Sequence, residues 1–241
     1  MMIKILHILL LVLFMSYNGH AQEGFSKEDI EDIIYEYIME NPEIILESVD
    51  NLRKKMEASS IESDNFLKDE FDTFANDNNI PNFGDPNAKV IIIEFVDYNC
   101  GYCKKSLDAI TRLLNSELSL KISFRDYPIL SASSKFAAKA ALAAKKQGKY
   151  FELHSELLNV KGNLSEEKIL EIAKNIDIDV AKLKIDMEDP EIAVIIQNNE
   201  NLAKKLNIRG TPTFIINGKL YAGALEFDKL RALIDKALSE I

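Results

Sequence analysis

Cys100 and Cys103 are the only cysteines in this 241-residue chain, and only Gly101 and Tyr102 separate them. The pair follows the apolar run Val90-Ile91-Ile92-Ile93-Glu94-Phe95 and precedes a helical pattern that starts at Lys104. Two thiols between a buried strand and a helix suit dithiol redox chemistry. The unpaired N–H groups of a helix's first turn favour a thiolate there, so the expected chemistry is thiol–disulfide exchange. Zinc fits poorly: it takes four ligands, and the only histidines are His7, His20 and His154. A purely structural disulfide across two residues closes too small a loop to restrain the unfolded chain much.

The compartment can be read from the first residues. Lys4, an apolar stretch from Ile5 to Met15 broken only by His7, and small residues near Ala21 have the pattern of a secretory signal peptide over residues 1–21. Its apolar core has 11 residues, and a bilayer-spanning helix needs about 20. The expected location is therefore the periplasm, an oxidising compartment that suits a dithiol site. The 29 basic and 39 acidic residues give a net charge of −10, and loss of Lys4 makes it −11. That sign argues against a nucleic-acid partner.

Several elements are needed to place the two thiols. Ile30, Ile33, Ile34, Tyr37 and Ile38 recur at helical spacing after Ser26, a cap with Asp29 three residues on. Asn41-Pro42 restarts or kinks the helix, and Ile45, Val49, Leu52 and Met56 form a narrow stripe that calls for a partner helix. Residues 58–65 are polar and serine-rich, a linker or a poorly packed helix. Phe66, Leu67, Phe71 and Phe74 suggest a short helix docked on the next domain, with a loop over residues 76–87. A second strand is expected over 118–124, helices over 135–147, 149–158, 165–176, 180–187 and 190–206, a hairpin turning at Asn217-Gly218, and a closing helix over 227–238. The division is thus signal peptide 1–21, helical stalk 22–57, linker 58–65 and catalytic domain 66–241.

The run Glu94-Phe95-Val96-Asp97-Tyr98-Asn99-Cys100-Gly101-Tyr102-Cys103-Lys104-Lys105, with Gly210-Thr211-Pro212-Thr213-Phe214, resembles the DsbA-like branch of the thioredoxin superfamily. The resemblance covers residues 79–241. It implies an α/β thioredoxin fold with a helical insertion at about 130–206. Ile38-Met39-Glu40-Asn41-Pro42-Glu43-Ile44-Ile45 is similar to the stalk of ScsC-type proteins, whose leading helices join three catalytic domains. This implies an N-terminal oligomerisation stalk and a homotrimer.

At the site, Cys100 is expected to be the attacking thiolate and Cys103, one turn further in, the resolving thiol. The resemblance makes Pro212 a cis-proline that holds extended substrate beside the thiols, with Thr211 in the same binding segment. It makes Gly101, Tyr102 and Thr211 the positions that tune redox poise. Glycine-tyrosine with threonine is similar to the pairing in disulfide isomerases, which implies a less strongly oxidising protein than DsbA. Glu94 matches the family's acid beneath the site. Burial raises its pKa, and it is read as proton acceptor for Cys103. His154 is expected to pack or lie at the surface.

The leading expectation is an isomerase that reshuffles wrong disulfides in exported proteins. The alternatives are a DsbA-like oxidase and a holdase or copper-handling protein, since two thiolates suit Cu(I). Expected partners are misoxidised exported proteins, a membrane thiol-redox protein and other copies of the chain. No metal site and no small-molecule cofactor is signalled beyond the dithiol itself, because no glycine-rich phosphate loop lies between a strand and a helix.

Overall fold

The computed structural model describes residues 25–116 and 118–240, so the expected signal peptide lies outside the described residues. The chain divides into two compact units, one up to Met56 and one from Glu57 on.

In the first unit, α1 (Lys27–Glu40) begins at a capping box. The Ser26 hydroxyl accepts from the Asp29 N–H, and the Asp29 carboxylate accepts from the Ser26 N–H at 2.9 Å. After Asn41-Pro42, α2 (Glu43–Ala75) starts. The stripe residues Ile30, Ile33, Ile34 and Tyr37 of α1, and Ile45, Val49, Leu52 and Met56 of α2, are each 47–58% exposed. An apolar face this exposed lacks the burial that normally stabilises an amphipathic helix.

α2 decides between two readings and corrects a third expectation. It is helical through residues 58–65, so the helix reading of this stretch holds over the linker of the domain division. The segment contains no glycine or proline to stop a helix, and Ser63 is buried. Phe66, Phe71 and Phe74 consequently belong to the end of one long helix, not to a short separate one.

The second unit is built on a five-stranded sheet ordered β1-β3-β2-β4-β5. Its strands are β1 (Asn82–Gly84), β2 (Val90–Val96), β3 (Leu120–Asp126), β4 (Thr213–Ile216) and β5 (Lys219–Ala222). β2 and β3 are parallel and the other pairs antiparallel. The parallel pair needs a crossover, supplied by α3 (Gly101–Leu114). Five helices then form the insertion: α4 (Ala132–Lys145), α5 (Tyr150–Asn159), α6 (Glu166–Asn175), α7 (Val180–Asp186) and α8 (Pro190–Lys205). The last helix, α9 (Phe227–Ser239), follows the β4–β5 hairpin. The fold is the expected α/β thioredoxin fold with a helical insertion.

Alternation along the strands creates two cores. Val90, Ile92 and Val96 of β2, with Phe214 and Ile216 of β4, pack with α3, α9 and the insertion. Ile93, Phe95 and Ile215 point the other way, against Leu67 and Ala75 of α2 and Leu202 and Ala203 of α8. Glu94 shares the parity of Ile92 and therefore faces the α3 side. Two strand expectations shift. β1 falls inside the expected loop, because a three-residue edge strand of Asn-Phe-Gly has no alternation to read. β3 also starts two residues later than expected and carries Arg125 and Asp126, whose charges resemble a loop.

Candidate active site: a dithiol at a helix start

β2 delivers the chain to Asp97, and a tight turn follows in which the Cys100 N–H donates to the Asp97 carbonyl at 3.0 Å. Cys100 is the N-cap of α3 and Cys103 lies within its first turn. Both are free thiols. Cys100 is 8% exposed and Cys103 is fully buried. β4 runs antiparallel to β2 with Thr213 opposite Phe95, so Thr211-Pro212, just before β4, lies at the end of β2 where the thiols sit. The Thr211–Pro212 peptide is cis, and Cys100 Sγ donates to the Thr211 carbonyl at 3.0 Å.

This arrangement separates the two thiols electrostatically. The Cys100 thiol is lowered to about 5, first by the hydrogen bond from Cys103, then by the Thr211 side chain and the N–H groups of Cys103 and Tyr102. In the dithiol state Thr211 Oγ1 is buried without a partner, so it is free to donate once Cys100 ionises. Cys103 is pushed far up, chiefly by burial, then by its bond to Cys100 and by the charge on Glu94. Glu94 is 2% exposed. Burial and the Cys100 charge raise it to about 8.

The other expected site residues have plain placements. Tyr102 is exposed, with Lys105 Nζ 5.2 Å from its ring centroid. A side chain at Gly101 would meet no atom within 4 Å. His154 packs in the core, as one of its two readings held, stacked on Phe151 and edge-on to Tyr98.

Sequence reasoning missed the clamp that fixes the turn. Asp97 accepts from the Asn99 N–H (2.8 Å), Ser134 Oγ (2.7 Å) and the N–H groups of Ile129 (2.9 Å) and Leu130 (3.0 Å). Asn99 donates to Ser131, Ser133 and Ser134 and accepts from the Leu164 N–H at 2.8 Å. Lys104 Nζ donates to the carbonyls of Val160, at 2.7 Å, and Gly162. The residues flanking the cysteines are thus tied to the insertion. Asp and Asn just before a helix were the available signal.

These features define the domain from Glu57 on as a thioredoxin-fold thiol–disulfide oxidoreductase of the DsbA and ScsC type. A family model described as Thioredoxin matches residues 76–236, and this chain belongs to that family. A second model, described as Copper resistance protein ScsC N-terminal domain, matches residues 27–58. A thioredoxin-like oxidoreductase from Silicibacter pomeroyi is 38% identical, with a TM-score of 0.67 over 70% of this chain and 97% of that one. The thiol-disulfide exchange protein alpha-DsbA2 from Wolbachia pipientis is 37% identical, with a TM-score of 0.66 over 72% and 96%. A linker-deleted ScsC from Proteus mirabilis is 25% identical, with a TM-score of 0.69 over 93% and 100%. Among curated relatives, a Na(+)/H(+) antiporter of Salinispora arenicola is 30% identical over 158 residues, and the chain spans 24% of its length. Among the described residues no helix is long and apolar enough to cross a membrane.

Proposed function

We propose that this protein is a disulfide isomerase of the periplasm, acting on wrongly oxidised exported proteins as a self-associated, trimeric assembly. The observation that carries the isomerase reading is the bare apolar stripe on α1 and α2, in a segment that matches an ScsC N-terminal domain. A trimer sets several dithiols around one client. The periplasmic location rests on the leader-like residues 1–21.

In the proposed cycle the Cys100 thiolate attacks one sulfur of a client disulfide. A mixed disulfide forms and a client thiolate leaves. When another client thiolate instead attacks the client sulfur of the mixed disulfide, a new client disulfide forms, Cys100 leaves as the thiolate, and the client has exchanged its pairing without net oxidation. When the client stalls, Cys103 gives its proton to the Glu94 carboxylate and attacks Cys100 Sγ, leaving a Cys100–Cys103 disulfide and a reduced client. A membrane thiol-redox partner then restores the dithiol. Loss of the Cys100 charge in the mixed disulfide lowers Glu94 from its raised value and so frees it to accept that proton. Thr211 and Pro212 hold the client segment beside Cys100, and Gly101, Tyr102 and Thr211 set the redox poise. The dithiol is the redox group, with no small-molecule cofactor.

The oxidase alternative draws on the Cys100 thiol held at about 5. A stabilised thiolate favours the reduced protein and makes its disulfide the stronger oxidant. Val49→Glu with Leu52→Glu separates the two readings, because both side chains are exposed and lie in the unit up to Met56. As an isomerase, the double variant loses most reactivation of a client with scrambled disulfides yet oxidises a dithiol peptide at the normal rate. Failure of both variant and parent to reactivate the client, with fast peptide oxidation by both, makes the protein an oxidase.

A further inference from the structure

Glu94 is not the only acid buried on this face of the sheet. Asp126, the last residue of β3, is fully shielded from solvent. In the parallel register Glu94 lies beside Phe124 and Val96 beside Asp126. Both carboxyls therefore leave the sheet on the α3 side, as diagonal neighbours about 8 Å apart at Cα.

Asp126 is also linked by hydroxyl groups to the active-site turn. Tyr150 Oη donates to Asp126 Oδ2 at 3.1 Å. Tyr98 Oη, two residues before Cys100, lies 3.5 Å from Tyr150 Oη and 3.1 Å from His154 Nδ1. The charges on Asp126 and Glu94 both act on Tyr150. Asn199 Nδ2 donates to the Asp126 carbonyl at 3.1 Å, while Asp126 Oδ1 has no partner among the described residues.

No cation among these neighbours holds Asp126 ionised. Arg125 reaches the Phe74 carbonyl, Asn199 and Asp77 instead. His154 is neutral, pushed by burial to about 3. Asp97, the other charge acting on Asp126, has the same sign. Burial consequently raises Asp126 to about 7.

We propose that Asp126 is a second titrating acid of the site, a positioning residue whose charge governs how readily Glu94 stands as the carboxylate and Cys103 gives up its proton when the mixed disulfide is resolved. This rests on the exchange cycle above. In that step the Cys103 proton passes to Glu94, the Cys103–Cys100 bond forms, and the client sulfur leaves with the electron pair. Asp126 transfers no proton in the step. Neutral, it leaves the step alone; ionised, its negative charge opposes the anions at Glu94 and Cys103.

The test follows release of the second thionitrobenzoate from 5,5′-dithiobis(2-nitrobenzoate), which reports attack by Cys103 on the Cys100 adduct. Asp126→Asn matches the parent at pH 5.5 and is faster at pH 8, by up to about tenfold for each pK unit of repulsion relieved. Carbon-13 NMR of the parent's Asp126 carboxyl shows a near-neutral midpoint that differs between dithiol and disulfide forms, and Tyr150→Phe narrows the difference. The proposal is overturned if Asp126→Asn tracks the parent at every pH, or if the Asp126 midpoint is the same in both redox forms. Absence of a second equivalent from the parent instead overturns the exchange cycle itself. The NMR arm needs no folded Asp126 variant.

Discussion

Cys100 and Cys103 have the same side chain, and the fold makes them chemically different. Cys100 receives hydrogen bonds as a thiolate, whereas Cys103 is buried beside an acid. The sign of the pH effect follows. Cys100 is held below its ordinary value, so its reactivity is full at neutral pH and falls as pH drops through about 5. Iodoacetamide alkylation of Cys100 is expected to titrate with that midpoint, and Thr211→Val to move it upward by about half a unit to one unit. An unchanged midpoint would remove Thr211 from the groups that stabilise the thiolate. The cysteines and Glu94 stand out in the sequence, as two thiols between a strand and a helix and as an acid in an apolar run. Thr211 and Pro212 were implied by the family resemblance. Asp126 could not be found this way, because Arg125-Asp126 at a strand end looks like ordinary solvated loop.

The elements matter to the site through where they end. β2 and β4 run in opposite directions, and this alone brings Thr211-Pro212 to the cysteines from over 100 positions away in sequence. The insertion grips the same end through Asn99 and Lys104. Further out, β1 closes the sheet edge against β3, and Gly84 allows it to do so. Its φ of +94° is unfavourable for any side chain, and a Cβ there would sit 2.2 Å from the Leu120 carbonyl oxygen. Gly84→Ala is expected to destabilise the fold by about 1–3 kcal/mol in urea unfolding while leaving the Cys100 alkylation midpoint unchanged. Unaltered stability would mean that β1 is not held in this register. Most helices were legible because their apolar periodicity extends over several turns. β1 was not, since three residues at an edge carry no period.

At the scale of the whole molecule, the two units differ in how they bury apolar surface. The unit from Glu57 on has cores on both faces of its sheet. The unit up to Met56 leaves its stripes exposed, and α1 has no buried residue. A stripe of this kind is stabilised by a second copy. Light scattering of the parent protein is therefore expected to give about three times the chain mass, and the Val49→Glu, Leu52→Glu variant about one chain mass. A monomeric parent would sink the trimer. High net negative charge opposes non-specific contacts between copies, which leaves the apolar stripe as the attraction that decides assembly.

Sequence alone was enough for the dithiol, the helix at whose start it sits, the order of strands and helices from β2 on, and the stripe on the leading helices. These depend on residue type and short-range periodicity, which a chain displays without folding. It took the folded chain to show that residues 58–65 continue a helix, that Asp97 and Asn99 clamp the turn to the insertion, and that Glu94 and Asp126 share one sheet face. The physical reason is that register, burial and long-range hydrogen bonds arise between segments far apart in the chain. The proton affinities of these acids and thiols are set by the neighbours that folding supplies.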